Sequence, residues 1–135
     1  MSERPIPVPD PATAPYWQGA RDGRLRLPRC TDCGKAHFYP RAICPHCRSA
    51  SLEWVDATGS GSIYSYTVVQ RAPSPAFAAD VPYAVAIVAL DEGPHMMTNI
   101  VDAAPDTIRI GMKVRARFLA LDDHTSLPVF EPAVC

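Results

Sequence analysis

The sequence predicts a mainly β protein: one short N-terminal helix, a cysteine-built metal ribbon, then a small five-stranded barrel. Three observations carry this. Four of the five cysteines fall in two pairs, Cys30-x2-Cys33 and Cys44-x2-Cys47. Beyond residue 51, runs of β-branched and aromatic residues alternate with Gly, Pro and Asp turns. Helical spacing of apolar residues is confined to a stretch around Tyr16, Trp17 and Ala20.

The first segment, residues 1–14, carries Pro5, Pro7, Pro9 and Pro11 and reads as a flexible, extended arm. Thr13 is placed as an N-cap, Pro15 in the first turn and Gly23 as the stop of a two-turn helix. A helix this short is marginal alone and must dock. It can dock on its own domain, or Tyr16 and Trp17 can anchor a partner protein, a role that Trp and Tyr often fill.

Arg24 to Leu27 then alternates polar and apolar, a strand that feeds straight into Cys30. Leu52 to Asp56 is a further short strand, and Gly59-Ser60-Gly61 a bend or bulge. Ser62 to Arg71 reads as β, and the proline-rich stretch 72–82 as a long loop. Tyr83 to Asp91 is apolar at nearly every position, the pattern of a strand covered on both faces. Asp91-Glu92-Gly93-Pro94 turns the chain back into a hairpin strand, His95 to Val101. After a connection with room for one helical turn, Met112 to Leu121 sets Val114, Ala116 and Phe118 on one face. Lys113, Arg115 and Arg117 take the other. A last strand surrounds Val129-Phe130. A closed barrel is the economical way for such a set to avoid open edges. The expected organisation is therefore an arm over 1–14, helix and ribbon over 15–50, and barrel over 51–135.

Two Cys-x2-Cys turns each aim two thiolates at one point, and together they complete a tetrahedron. The ten residues between the pairs are fewer than the roughly 15–20 often seen, but a β-hairpin spans them. Gly34 suits a knuckle where the backbone turns left-handed, and Arg48 rather than glycine at the corresponding place in the second pair is a small departure. The chemistry points to structural zinc, with iron in a rubredoxin-like site as the alternative. Four thiolates leave no position for an activated water. His37 and His46 read as bystanders, and Cys135 as a thiol without an evident role.

Net charge is −1, divided between +4 over residues 1–50 and −5 over residues 51–135. An acidic barrel with 8% aromatics argues against a nucleic-acid groove, although ribbons and small barrels both serve that role elsewhere. The longest apolar run, Tyr83 to Leu90, is far shorter than the ~20 residues a membrane helix needs. With no apolar export segment at the N-terminus, the expected address is cytoplasmic. No nucleophile elbow, phosphate loop, dinucleotide fingerprint or His-Glu-x-x-His helix is present.

In detail the chain resembles the zinc-ribbon OB-fold proteins associated with acyl-CoA metabolism, long catalogued as a domain of unknown function. The residues that carry the resemblance include Tyr16-Trp17, GRLRLPRCTDC (23–33), FYPRAICPHC (38–47) and Leu52-Glu53-Trp54. Gly59-Ser60-Gly61 with Ile63-Tyr64-Ser65-Tyr66, Pro82-Tyr83, Ile110-Gly111-Met112-Lys113-Val114 and Phe130-Glu131-Pro132 complete the set. The resemblance implies a rubredoxin-like ribbon and an OB-type barrel. It also implies an accessory subunit, a companion of thiolases, lipid-transfer-protein-like aldolases, hydroxymethylglutaryl-CoA synthases or hydratases, that helps bind an acyl-CoA thioester. Such a ligand needs cations for its phosphates and an apolar slot for its arm. Arg41 and Arg71 are the expected cations, and Phe77 the expected slot residue.

Overall fold

The computed structural model describes residues 6–133. The order is α1 (Ala14–Arg21), β1 (Arg26–Cys30), β2 (Leu52–Asp56), β3 (Ser60–Val69), β4 (Tyr83–Leu90), β5 (His95–Ile100), β6 (Lys113–Ala120) and β7 (Ser126–Pro132). Single 3-10 turns, Pro75–Phe77 and Pro105–Thr107, sit in the two long connections. Of the proline-rich arm, residues 1–5 lie outside the described part.

Entry into α1 is fixed by a reciprocal pair. The Asp10 amide donates to Thr13 Oγ1 at 3.0 Å, and the Thr13 amide donates to Asp10 Oδ1 at 2.9 Å. Thr13 is thus the N-cap residue by position, but its hydroxyl faces back to Asp10 rather than into the first turn. At the far end the Arg24 amide closes on the Gly19 carbonyl at 2.7 Å, with Gly23 at φ +78°.

Two sheets follow. In the first, β1 and β2 pair antiparallel with Arg26 opposite Asp56 and Cys30 opposite Leu52. Cross-strand ion pairs, Arg26 with Asp56 at 3.3 Å and Arg29 with Glu53 at 3.7 Å, fit that register. The strand at residues 52–56, expected to begin the barrel, therefore completes the ribbon's own sheet. Strand pattern marks a strand but does not say which edge it joins, so pairing was beyond what the sequence shows.

The second sheet is a closed barrel in the order β3-β4-β5-β7-β6. Its interior is filled by Ile63, Val88, Met96, Ile108, Val114 and Phe130, each under 3% exposed. The Val114, Ala116, Phe118 face of β6 turns inward as expected, and its three cations turn out. In β4 the burial alternates strictly, with Ala84, Ala86, Val88 and Leu90 buried and Tyr83, Val85, Ile87 and Ala89 half-exposed. The strand expected to be covered on both faces is covered on one. Gly61 leaves no room for a side chain between β3 and β4: an added Cβ would meet the Ala89 carbonyl oxygen at 2.6 Å.

The helix packs against β1, β6 and β7 and so ties the ribbon to the barrel. Among the described residues, no helix is long and apolar enough to cross a membrane.

Candidate functional site

The metal centre is assembled from two matching turns. In the first, the Cys30 amide donates to the Lys35 carbonyl at 2.9 Å and the Gly34 amide returns to the Cys30 carbonyl at 2.9 Å. In the second, the Cys44 amide donates to the Ser49 carbonyl at 2.8 Å and the Arg48 amide returns to the Cys44 carbonyl at 2.8 Å. The spacing is identical, and so is the backbone hand: Gly34 has φ +77° and Arg48 has φ +68°. The missing glycine after Cys47 is therefore no departure in geometry. Arg48 adopts the left-handed conformation that Gly34 takes without strain.

These turns bring all four sulfurs within 4.8 Å of one another. Cys30 Sγ lies 3.4 Å from Cys47 Sγ, and Cys33 Sγ lies 3.7 Å from Cys44 Sγ. Amides point at the sulfurs as well, Cys33 N–H to Cys30 Sγ at 3.4 Å and His46 N–H to Cys44 Sγ at 3.3 Å. The Cys33 amide is the main reason the Cys30 thiol is held down to about 7. For Cys47 the Ser49 amide favours the thiolate, but the Cys30 sulfur, desolvation and the Cys33 and Cys44 sulfurs override it and push the thiol up to about 12. The Cys44 thiol is also held down while that of Cys47 is pushed up, an opposition among neighbouring sulfurs that a bound cation would relieve. The donor set and its compactness fit a tetrahedral metal ion.

Neither histidine joins the cluster. His46 is exposed beside it. His37 is buried, and its Nε2 accepts the Arg41 amide at 3.2 Å. Burial, then the nearby His46 and Arg41, push its pKa down. That acceptor role places the proton of the neutral ring on Nδ1, which has no partner among the described residues. Glu92 Oε1 is buried and unpartnered in the same way. Both residues line a cavity of about 330 Å³ between the two knuckles and the β4–β5 turn.

Tyr16 and Trp17 go into this chain's own core, the first of the two roles the sequence leaves open for the helix. They are 3% and 8% exposed. Tyr16 makes edge contacts with Trp17, Phe38 and Tyr39 at centroid distances of 4.9, 5.6 and 5.7 Å. Trp17 Nε1 donates to the Tyr39 hydroxyl at 3.1 Å. Burial pushes the Tyr16 phenol pKa well up, with Tyr39 adding to it. The helix meets the stretch 38–39 just before the second knuckle, so one aromatic cluster joins helix, ribbon and barrel.

Of the expected acyl-CoA residues, Phe77 is half-buried and lines two cavities. One, about 310 Å³, is shared with Tyr83, Asn99, Ile100 and Leu119. The other, about 420 Å³, is an aromatic groove shared with Tyr16, Trp17, Tyr39 and Met97. Arg41 and Arg71 are exposed and line neither. Cys135 lies outside the described residues.

Comparison with known proteins gives this architecture a family. Residues 17–53 match the model of the ChsH2 rubredoxin-like zinc ribbon domain, and residues 54–119 match that of the ChsH2 C-terminal OB-fold domain. A DUF35 domain-containing scaffold protein of Pyrococcus furiosus is 36% identical over 73% of this chain and 72% of its own length. The chain belongs to the DUF35 family. The DUF35 fold of a solved structure described as an Ltp2-ChsH2(DUF35) aldolase matches 95% of this chain and 99% of its own, at TM-score 0.84 and 42% identity. A DUF35 protein from Sulfolobus solfataricus shares the fold at TM-score 0.62 and 15% identity. A probable enoyl-CoA hydratase alpha subunit of Thermomonospora curvata is 43% identical over 97% of this chain. The chain spans only about two-fifths of that relative's length, 40%, and 64% of the DUF35 scaffold protein of Methanocaldococcus jannaschii.

Proposed function

We propose that this chain is a non-catalytic, zinc-bearing accessory subunit that binds an aldolase- or hydratase-type enzyme of acyl-CoA metabolism and helps hold its thioester substrate. One observation carries the reading: the near end-to-end likeness, at 42% identity, to a DUF35 chain in a structure described as an aldolase. The site chemistry supports it. Four thiolates satisfy a tetrahedral ion completely, so the ion would stabilise the ribbon and offer no open position for a substrate or water. Its binding would contribute folding free energy on the order of 10–16 kcal/mol, as in small zinc peptides. Zinc is favoured over iron because the matched ribbon family is a zinc family. The acyl arm of a thioester would suit the apolar cavities beside Phe77, and the exposed Arg41 and Arg71 are candidate phosphate contacts, although neither lines those cavities.

The test is recovery of the tagged protein from its own cells, followed by mass spectrometry and metal analysis. An aldolase-, thiolase- or hydratase-type protein in stoichiometric amount, with one zinc per chain, is the expected result. A chain that returns alone, or with nucleic acid only, would overturn the accessory reading. A red, iron-loaded protein would overturn the zinc assignment while leaving the partner reading intact.

A further inference from the structure

Strands β3 and β6 close the barrel through three residue pairs only, Ser60 with Arg115, Gly61 with Val114 and Ser62 with Lys113. Two further backbone bonds join Ile63 to the chain at Gly111 and Met112. Beyond that point β3 continues to Val69, paired with β4 on one side. Among the described residues, no strand pairs with the other side of Tyr64–Val69. The segment reads Tyr-Ser-Tyr-Thr-Val-Val, with no charge and no proline, and Tyr64, Ser65, Tyr66 and Thr67 are all exposed. Natural edges are normally blunted by lysine, proline, a bulge or a covering element; a bulge at Tyr64 marks the start of this edge, and beyond it Ser65–Val69 carries no lysine or proline.

The outer wall next to this edge has the same character. Its rows across β3, β4 and β5 are Ser62–Ala89–His95, Ser65–Ile87–Met97 and Thr67–Val85–Asn99. No Asp, Glu, Lys or Arg lies in them. Met97 is 65% exposed and Tyr64, its ring tilted against His95 at 4.5 Å, is 59% exposed. The β6 wall, by contrast, presents Lys113, Arg115 and Arg117. Strand β4 moreover has the near-continuous apolar sequence of a strand covered on both faces, while this chain covers one.

We propose that Tyr64–Val69 is a strand-addition site, where an extended, uncharged segment of the partner enzyme pairs with β3 and packs over Tyr64, Ile87 and Met97. The inference rests on the accessory-subunit reading above. Main-chain pairing supplies affinity, and the exposed alternate side chains supply selectivity. A second copy of this chain would satisfy the same backbone groups. It would, however, bring together two barrels that each carry −3 over residues 57–135, whereas a neutral or basic partner surface meets no such repulsion.

The experiment is amide hydrogen exchange on the protein alone and in complex with the partner recovered from its own cells. Binding is expected to slow exchange within 64–69 by about tenfold or more, with little change in β6. Thr67→Lys, an exposed change that leaves the fold and its circular dichroism intact, is expected to weaken the complex by about tenfold or more. A complex that forms with exchange at 64–69 unchanged, and binds Thr67→Lys as well as wild type, would overturn the edge site and leave the accessory reading standing. Protection that rises with the concentration of this protein alone would assign the edge to a second copy and overturn the proposal. If the wild type retains no partner, the accessory reading fails and the edge proposal falls with it.

Discussion

Gly34 and Arg48 hold matching places in the two knuckles, so exchanging residue types at them should change stability in opposite directions. At Gly34, with φ +77°, no atom lies within 4 Å of an added Cβ. Gly34→Ala therefore isolates the left-handed backbone cost, about 1–2 kcal/mol for an L-residue. The stiffer unfolded chain returns about 0.4–1 kcal/mol, leaving a net loss near 1 kcal/mol. Arg48 already bears that cost at φ +68°. Arg48→Gly relieves it while loosening the unfolded chain, for a net gain of up to about 1 kcal/mol. Both positions donate the amide that closes a knuckle, Gly34 to Cys30 and Arg48 to Cys44, and neither substitution removes it. Because folding of the knuckles is linked to metal binding, about 1 kcal/mol appears as a roughly fivefold change in metal affinity. Competition of the zinc-loaded protein with a chromophoric chelator measures it. Affinity should fall for Gly34→Ala and rise for Arg48→Gly. Changes of the same sign, or a neutral Gly34→Ala, would refute the equivalence of the two turns.

Trp17→Phe keeps an aromatic ring but removes the bond to the Tyr39 hydroxyl and leaves space where the indole's second ring lay, so urea unfolding should show a loss of about 1–3 kcal/mol. Trp17→Ala should cost about 3–5 kcal/mol, because the side chain is buried in the chain's own core. Gly61→Ala should cost at least about 1–3 kcal/mol by forcing β3 away from the Ala89 carbonyl and Val88 Cγ1, as read by thermal unfolding. Metal removal by a strong chelator should free the amides of the knuckles, Cys30 to Ser49, to exchange. Those in the centre of β4, held on both sides by β3 and β5, should stay protected.

Much of this architecture was readable because its signals are local. Four cysteines in two close pairs constrain one another whatever surrounds them. The alternation in β6 likewise fixes which side of that strand faces the barrel. What escaped depends on contacts distant in sequence. Nothing in Leu52-Glu53-Trp54 says that its strand edge joins β1 across the ribbon rather than the barrel. Tyr16 and Trp17 have the composition of an interface, and only the approach of Phe38 and Tyr39 shows that the chain covers them itself. The apolar run of β4 was legible as a buried strand, but sequence cannot say whether the second cover comes from the same polypeptide. Arg48 is the instructive local miss. The hydrogen bonds of a knuckle hold a left-handed arginine in place, so absence of glycine did not mean absence of the turn.

The centre also has an inside and an outside. Each pair gives one sulfur from a buried residue, Cys30 or Cys44, and one from an exposed residue, Cys33 or Cys47. A competing thiol or an oxidant arriving from solvent therefore reaches the second cysteine of each pair first. Ligand exchange at this centre would proceed from that side, one solvent-facing sulfur at a time, with the ion still gripped by the inner pair. Release would thus be stepwise, its speed set by the surface residues around Cys33 and Cys47, while the depth at which Cys30 and Cys44 sit sets how firmly the last two bonds hold.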